Sequence, residues 1–159
     1  MGSQSKTNLA YIAGFLDGDG SLMMQIKKRK DGKQKFRFML TICFYQDSKH
    51  ATPLKWFRGV ISIGYISNRN DHITELRING YKQVKEIIKK LLPYLKFKKV
   101  QAILIYKAAS LLESKKQGDL SYADLKKLVG YIVEIQNKNY VTRHKKTRSE
   151  LMKVLGLTP

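Results

Sequence analysis

Between residues 21 and 46 the chain keeps a period of two. Leu22, Met24 and Ile26 alternate with Met23, Gln25 and Lys27, an Asp31-Gly32 turn follows, and Phe36, Phe38, Leu40, Ile42 and Phe44 then alternate with Lys35, Arg37, Met39, Thr41 and Cys43. That is the pattern of an antiparallel hairpin with one greasy face. The other face carries Gln25, Lys27, Arg29, Lys33, Lys35 and Arg37. A second hairpin runs from Ile63 to about Ile78, turns through Asn68-Arg69-Asn70-Asp71, and presents Tyr65, Ser67, Arg69, Glu75 and Arg77 outward.

Helical segments frame the hairpins. From Asn8 to Asp17 nearly every residue is apolar, which predicts a helix buried on almost all sides, capped by Thr7 or Asn8 and ended by Gly18 and Gly20. Residues 52 to 61 predict a short helix with Pro53 in its first turn and Leu54, Trp56, Phe57, Val60 and Ile61 on its buried side. Val84, Ile87, Ile88, Leu91 and Leu92 recur at helical spacing before Pro93, and "YLKFKK" leads into a helix from about 98 to 113. Shorter helices are expected over 121 to 136 and 147 to 155. The order α-ββ-α-ββ-α plus C-terminal helices is α+β, and 159 residues suit a single domain. Residues 7 to 113 are its expected core and 114 to 159 its helical extension. Residues 1 to 6 are expected to be disordered or vector-derived, because Met1-Gly2-Ser3 reads as a cloning remnant.

The charge narrows the partner. Lys and Arg number 31 against 12 Asp and Glu, a formal net charge of +19, which implies a polyanion. Nucleic acid is favoured over a membrane, since no apolar run approaches the roughly 20 residues of a span. A two-stranded ribbon is narrow enough to enter a major groove, where Lys and Arg hold phosphates or guanine edges and Gln25 could read adenine. One basic hairpin face can be an ordinary solvated surface; two in so basic a chain favour DNA. The single cysteine, Cys43, excludes an internal disulfide and suggests a reducing, intracellular compartment. No signal or transit peptide is visible, and the excess of Lys over Arg with abundant Ile, Asn and Tyr hints at an AT-rich genome such as a chloroplast's or mitochondrion's.

Against that background Asp17-Gly18-Asp19-Gly20 stands out. A carboxylate at a helix C-terminus meets the negative end of the dipole, an unfavourable place unless a cation offsets it. Mg²⁺ takes one or two carboxylates, with waters and substrate phosphate completing its shell. An EF-hand is excluded, because the twelfth position counted from Asp17 is Lys28. Small residues at Ala10, Ala13, Gly14 and Gly18 would let two copies of this helix pack closely, bringing their acidic ends together.

The stretch "LAYIAGFLDGDGS" resembles the signature of the LAGLIDADG homing endonucleases. The likeness continues through "WF" at 56–57, "GYI" at 64–66 and "PYLKFKKVQA" at 93–102. It implies the αββαββα fold, with both hairpins forming a curved DNA-binding sheet. One motif per chain implies a homodimer on a long pseudo-palindromic site, joined through the motif helix at Ala10, Ala13, Gly14 and Asp17. The resemblance makes Asp19 and the Gly18 carbonyl metal ligands, gives Gln46 a water network near the scissile phosphate, and has Lys98 offset transition-state charge. Lys49, or failing that His50, would supply a further basic group. Mg²⁺ is the implied metal, with Mn²⁺ substituting and Ca²⁺ binding without cleavage, and the product is a staggered double-strand break. Strand parity with the family's use of these hairpins nominates Met23, Gln25, Lys27, Arg29, Lys35, Arg37, Met39, Thr41, Cys43, Ser67, Arg69, Glu75 and Arg77 as DNA contacts. Lys145 and Lys146 in "RHKKTRS" would grip phosphates. Blander roles stay open: Gln46 ending a strand, Lys98 merely attracting phosphate, Asp17 only ending the helix. An RNA-binding intron maturase and a non-cleaving DNA-binding regulator are the alternative functions on the same fold.

Overall fold

The structure is a computed structural model that describes residues 3–139 and 142–158. It begins with α1 (Lys6–Asp19), followed by β1 (Gly20–Lys28), β2 (Phe36–Asp47), α2 (Thr52–Ile61), β3 (Tyr65–Asn68) and β4 (Ile73–Asn79). Four helices complete the chain: α3 (Tyr81–Leu91), α4 (Lys99–Ser114), α5 (Tyr122–Lys138) and α6 (Arg148–Val154). The hairpins fuse into one antiparallel sheet of order β1-β2-β4-β3. Alternation set its faces. Leu22, Met24, Phe38, Leu40, Ile42, Phe44, Leu76 and Ile78 are buried on one side, where they join α1, α2, α3 and α4 in a single apolar core. Among the described residues no helix is long and apolar enough to cross a membrane.

Three sequence expectations need correction. Helix α1 starts earlier and ends later than 8–17: Ser5, not Thr7 or Asn8, is its N-cap, accepting from the Asn8 amide at 3.2 Å, and Gly18 lies inside its last turn. The Asn8 side-chain amide donates to the Ser3 carbonyl; residues 1 and 2 lie outside the described residues. The helix is not buried all round either. Ile12, Ala13, Leu16 and Asp17 face the core, while Tyr11, Gly14 and Gly18 form an exposed stripe. Trp56 is exposed as well, because Leu54, Phe57 and Val60/Ile61 take the core-facing turns of α2 and leave it on the far side, edge-on to Tyr11 at 5.8 Å.

The junction of α1 and β1 is the tightest point of the fold. A Cβ on Gly20 would lie 2.6 Å from Leu16 Cδ1, 2.9 Å from Leu16 Cα and 3.1 Å from the Cys43 carbonyl. Only glycine lets the helix turn directly into a strand paired with β2, and that turn places Asp19 at the rim of the sheet.

Candidate active site

The two acids of the motif have separate fates. Asp17 is buried, and its carboxylate accepts the backbone amides of Lys96 at 2.7 Å and Lys98 at 2.9 Å. It thereby ties the "YLKFKK" segment to the end of α1. The Lys98 ammonium, itself buried, donates to the Asp17 carbonyl at 2.6 Å and so neutralises part of the helix's negative end. Burial pushes the Lys98 ammonium below its ordinary range, while the charges of Asp17 and Asp19 oppose that shift.

Asp19 is exposed, and no protein group donates to its carboxylate among the described residues. In the same turn the Leu16 carbonyl accepts from the Gly20 amide and the Asp17 carbonyl from Lys98. That leaves the Gly18 carbonyl, beside the Asp19 carboxylate, open for an outside partner. Both are hard oxygen donors. Among the described residues no group of three or more His, Cys, Asp or Glu side chains comes together. One chain therefore offers part of a shell, which fits a cation that keeps waters and substrate oxygens rather than one caged by protein.

A cavity of about 360 Å³ opens here. Gly18, Asp19, Gly20, Ser21, Met23, Tyr45 and Lys98 line one side of it, with Gln101 from α4 and Asn139 and Thr142 from beyond α5 on the other. The structure thus brings Asp19, Gly18 and Lys98 together. It does not bring Gln46 to them: that residue shares the parity of Phe44, pairs with Thr74, and folds its side chain back to accept the Asp47 amide at 2.9 Å. Lys49 and His50 are exposed on a short 3-10 turn and do not line the cavity either. Tyr45, Gln101 and Asn139 were missed from sequence. Only Gln101 left a signal there, as part of "PYLKFKKVQA".

The outer sheet face is continuous with this cavity. Its cross-strand rows read Lys27–Arg37, Gln25–Met39, Met23–Thr41–Asn79 and Ser21–Cys43–Arg77–Tyr65, followed by Tyr45–Glu75–Ser67. Gln25, Lys27, Arg29, Lys35 and Arg37 are exposed, as are Arg69 at the β3–β4 turn and Lys145 and Lys146 before α6. Met23, Met39, Ser67 and Arg77 are half-buried.

Thr41, Cys43 and Glu75, expected as DNA contacts, are buried instead. Thr41 Oγ1 donates to Asn79 at 2.7 Å; Glu75 accepts from Arg77 Nε at 3.2 Å and Nη2 at 3.1 Å, from Ser67 Oγ at 3.4 Å and from the Cys43 thiol at 3.6 Å. Burial, with Glu75 nearby, raises the thiol to about 11. These groups bind one another because neighbouring strands cover them from both sides.

The helix stripe expected at a dimer contact also divides. Gly14 is exposed with nothing within 4 Å of an added Cβ, and Ala10 is half-buried. Ala13 and Asp17 face inward and are already packed within the chain.

Comparison with known proteins bears on this geometry. The chain is 29% identical over 151 residues to the DNA endonuclease I-CreI of Chlamydomonas reinhardtii, covering 95% of this chain and 90% of that protein. It is 31% identical over 96 residues, 60% of each, to the DNA endonuclease I-CvuI of Chlorella vulgaris. The fold superposes on solved structures of I-CvuI with its target in the presence of Ca (TM-score 0.84, 23% identity, 97% of this chain and 98% of that one) and of the archaeal intron-encoded homing endonuclease I-Vdi141I complexed with DNA (0.79, 19%, 94% and 95%). The LAGLIDADG endonuclease family model matches residues 12–110, the span from the motif helix into α4 that builds this site, and the chain belongs to that family.

Proposed function

We propose that the chain is a site-specific homing endonuclease that makes a staggered double-strand break in a long pseudo-palindromic DNA target by divalent-metal-dependent phosphodiester hydrolysis. The observation that carries this reading is the divided acid pair: Asp17 is consumed inside the fold, whereas Asp19 stands free at the rim of a basic sheet with Lys98 beside it. Asp19 and the Gly18 carbonyl would hold Mg²⁺, or Mn²⁺ in its place; Ca²⁺ suits the same oxygens and would support binding without cleavage. When bound, such an ion stabilises charge on the attacking and leaving oxygens. Lys98 keeps a positive charge at the cavity wall, where the phosphate gains negative charge as the water oxygen bonds to phosphorus and the P–O bond breaks. Lys27, Arg29, Lys35, Arg37, Lys145 and Lys146 hold the duplex by its phosphates, and Gln25 and Arg77 face its base edges. Gln136 pins the Lys145–Lys146 segment, exchanging hydrogen bonds at 3.1 Å with the Lys146 backbone.

One chain supplies one Asp19, so both strands are cut by a homodimer. The bare stripe of Gly14 and Gly18 is its helix contact, flanked by exposed aromatics: Tyr11 is 63% and Phe97 85% exposed. A free, buried Cys43 suits work in a reducing compartment, and an organelle is the proposed setting.

Asp19→Asn tests the reading. Mg²⁺-dependent cleavage of a target selected from a randomised DNA library should fall at least 10³-fold, while DNA affinity in Ca²⁺ changes less than tenfold. Equal loss of folding and binding would make Asp19 structural. Unimpaired cleavage would overturn the site. Assisted splicing of a cognate intron by the same variant, without cleavage by wild type, would assign the RNA role instead.

A further inference from the structure

The cavity holds a polar group that the assigned roles leave unused. Gln101 projects from the first turn of α4 and is only 4% exposed. Its Nε2 donates to Asn139 Oδ1 at 3.3 Å, and Asn139 Nδ2 donates in turn to the Leu22 carbonyl of β1 at 3.1 Å. The Leu22 carbonyl can only accept, so the Asn139 amide must face it nitrogen-first. Asn139 then presents oxygen to Gln101, and Gln101 must answer with nitrogen. This chain of amides fixes which way the Gln101 carbonyl points. Its Oε1 is buried and accepts no hydrogen bond among the described residues, although the residue lines the cavity with Asp19 and Lys98. A buried carbonyl without a donor is unfavourable, and the cavity that Gln101 lines has room for water.

We propose that Gln101 is a positioning residue of this site, its Oε1 accepting a hydrogen bond from a water held beside Asp19. The proposal rests on the endonuclease reading above. It gives to Gln101 the water-ordering part that the sequence assigned to Gln46, which lies on the other face of the sheet. A water that donates one hydrogen to Oε1 keeps its oxygen lone pairs on the side away from Gln101. The anchor of this orientation is the backbone of β1, three residues after Asp19, which ties the amide to the segment that follows the acid.

The primary test requires no variant. In a crystal structure of the wild-type dimer with its target and Ca²⁺, an ordered water should lie within hydrogen-bond distance of Gln101 Oε1; a dry Oε1, or one bonded to a protein donor, overturns the proposal. In solution, Gln101→Met should lower the single-turnover cleavage constant 10- to 100-fold, with DNA Kd in Ca²⁺ changing less than threefold. Gln101→Glu, which keeps an acceptor but loses the donor to Asn139, should recover at least part of that loss. Asn139→Ala tests the tether alone: cleavage and DNA affinity falling together in this variant and in Gln101→Met would show a structural role and overturn the proposal. Wild-type cleavage by Gln101→Met, with Asp19→Asn inactive, refutes Gln101 alone; cleavage that survives Asp19→Asn refutes the endonuclease site itself.

Discussion

The centre of the sheet and its free arm use similar residues for opposite ends. In the arm, where only β1 and β2 run side by side, Lys27 and Arg37 stand opposite each other and both reach solvent. In the centre, where β2 is flanked on both sides, Cys43, Glu75 and Arg77 close on one another, and Glu75 keeps only 6% of its surface. The last turn of α1 repeats the contrast at shorter range, with Asp17 turned inward onto Lys96 and Lys98 and Asp19 turned out. A polar side chain with neighbours on both sides becomes part of the scaffold. One at an edge remains free for a ligand.

The contrast can be broken at its strongest point by Asp17→Ala. Two backbone amides would lose a buried charged acceptor and Lys98 its nearest negative charge, so thermal or urea unfolding should show a loss of about 3 kcal/mol. Cleavage should fall with it, since the Lys98 backbone amide loses the carboxylate that anchors it, although the ammonium keeps the carbonyl of residue 17. A stability change under about 0.5 kcal/mol would mean that the inward acid is no more structural than the outward one.

Glu75→Ala probes the centre of the sheet. Arg77, Ser67 and Cys43 lose a common acceptor, a cost of about 1–3 kcal/mol. The freed Arg77 should also discriminate less at one position of each half-site, because a fixed guanidinium gives a bidentate guanine contact its geometry. A base-preference profile from a randomised library measures this, and an unchanged profile would separate Arg77 from base reading. The smallest effect on the fold is expected in the arm. Lys27→Ala should leave stability within about 0.5 kcal/mol of wild type. If Lys27 neutralises one phosphate, the slope of log affinity against log salt should become about 0.9 shallower per subunit. A salt slope that does not change would remove Lys27 from the phosphate contacts.

Much of this was legible in the residues. Period-two alternation found both hairpins because a strand's side chains must alternate, and helical spacing found α2, α3 and α4 nearly to their ends. The motif located Asp19. The differences have separate causes. Alternation says which face a residue is on but not whether a neighbouring strand covers it, so it puts Thr41, Cys43 and Glu75 among the DNA contacts although they are buried. Hydrophobicity alone points Trp56 inward, whereas the helical turn carries it away from the core. Gln101, far from the motif in sequence, lines the cavity with Asp19 on a helix that only long-range packing brings there.

By itself, then, the sequence determined the strands, the helix ending in two acids, the excess of positive charge and the family, since all of these follow from local spacing or composition. Only the tertiary structure decided that Asp17 ties α1 to the segment before α4, that Asp19 is left free, and that Gln101 faces the same cavity. Burial and hydrogen-bond partnership are properties of groups brought together from distant parts of the chain, and no spacing within one segment specifies them.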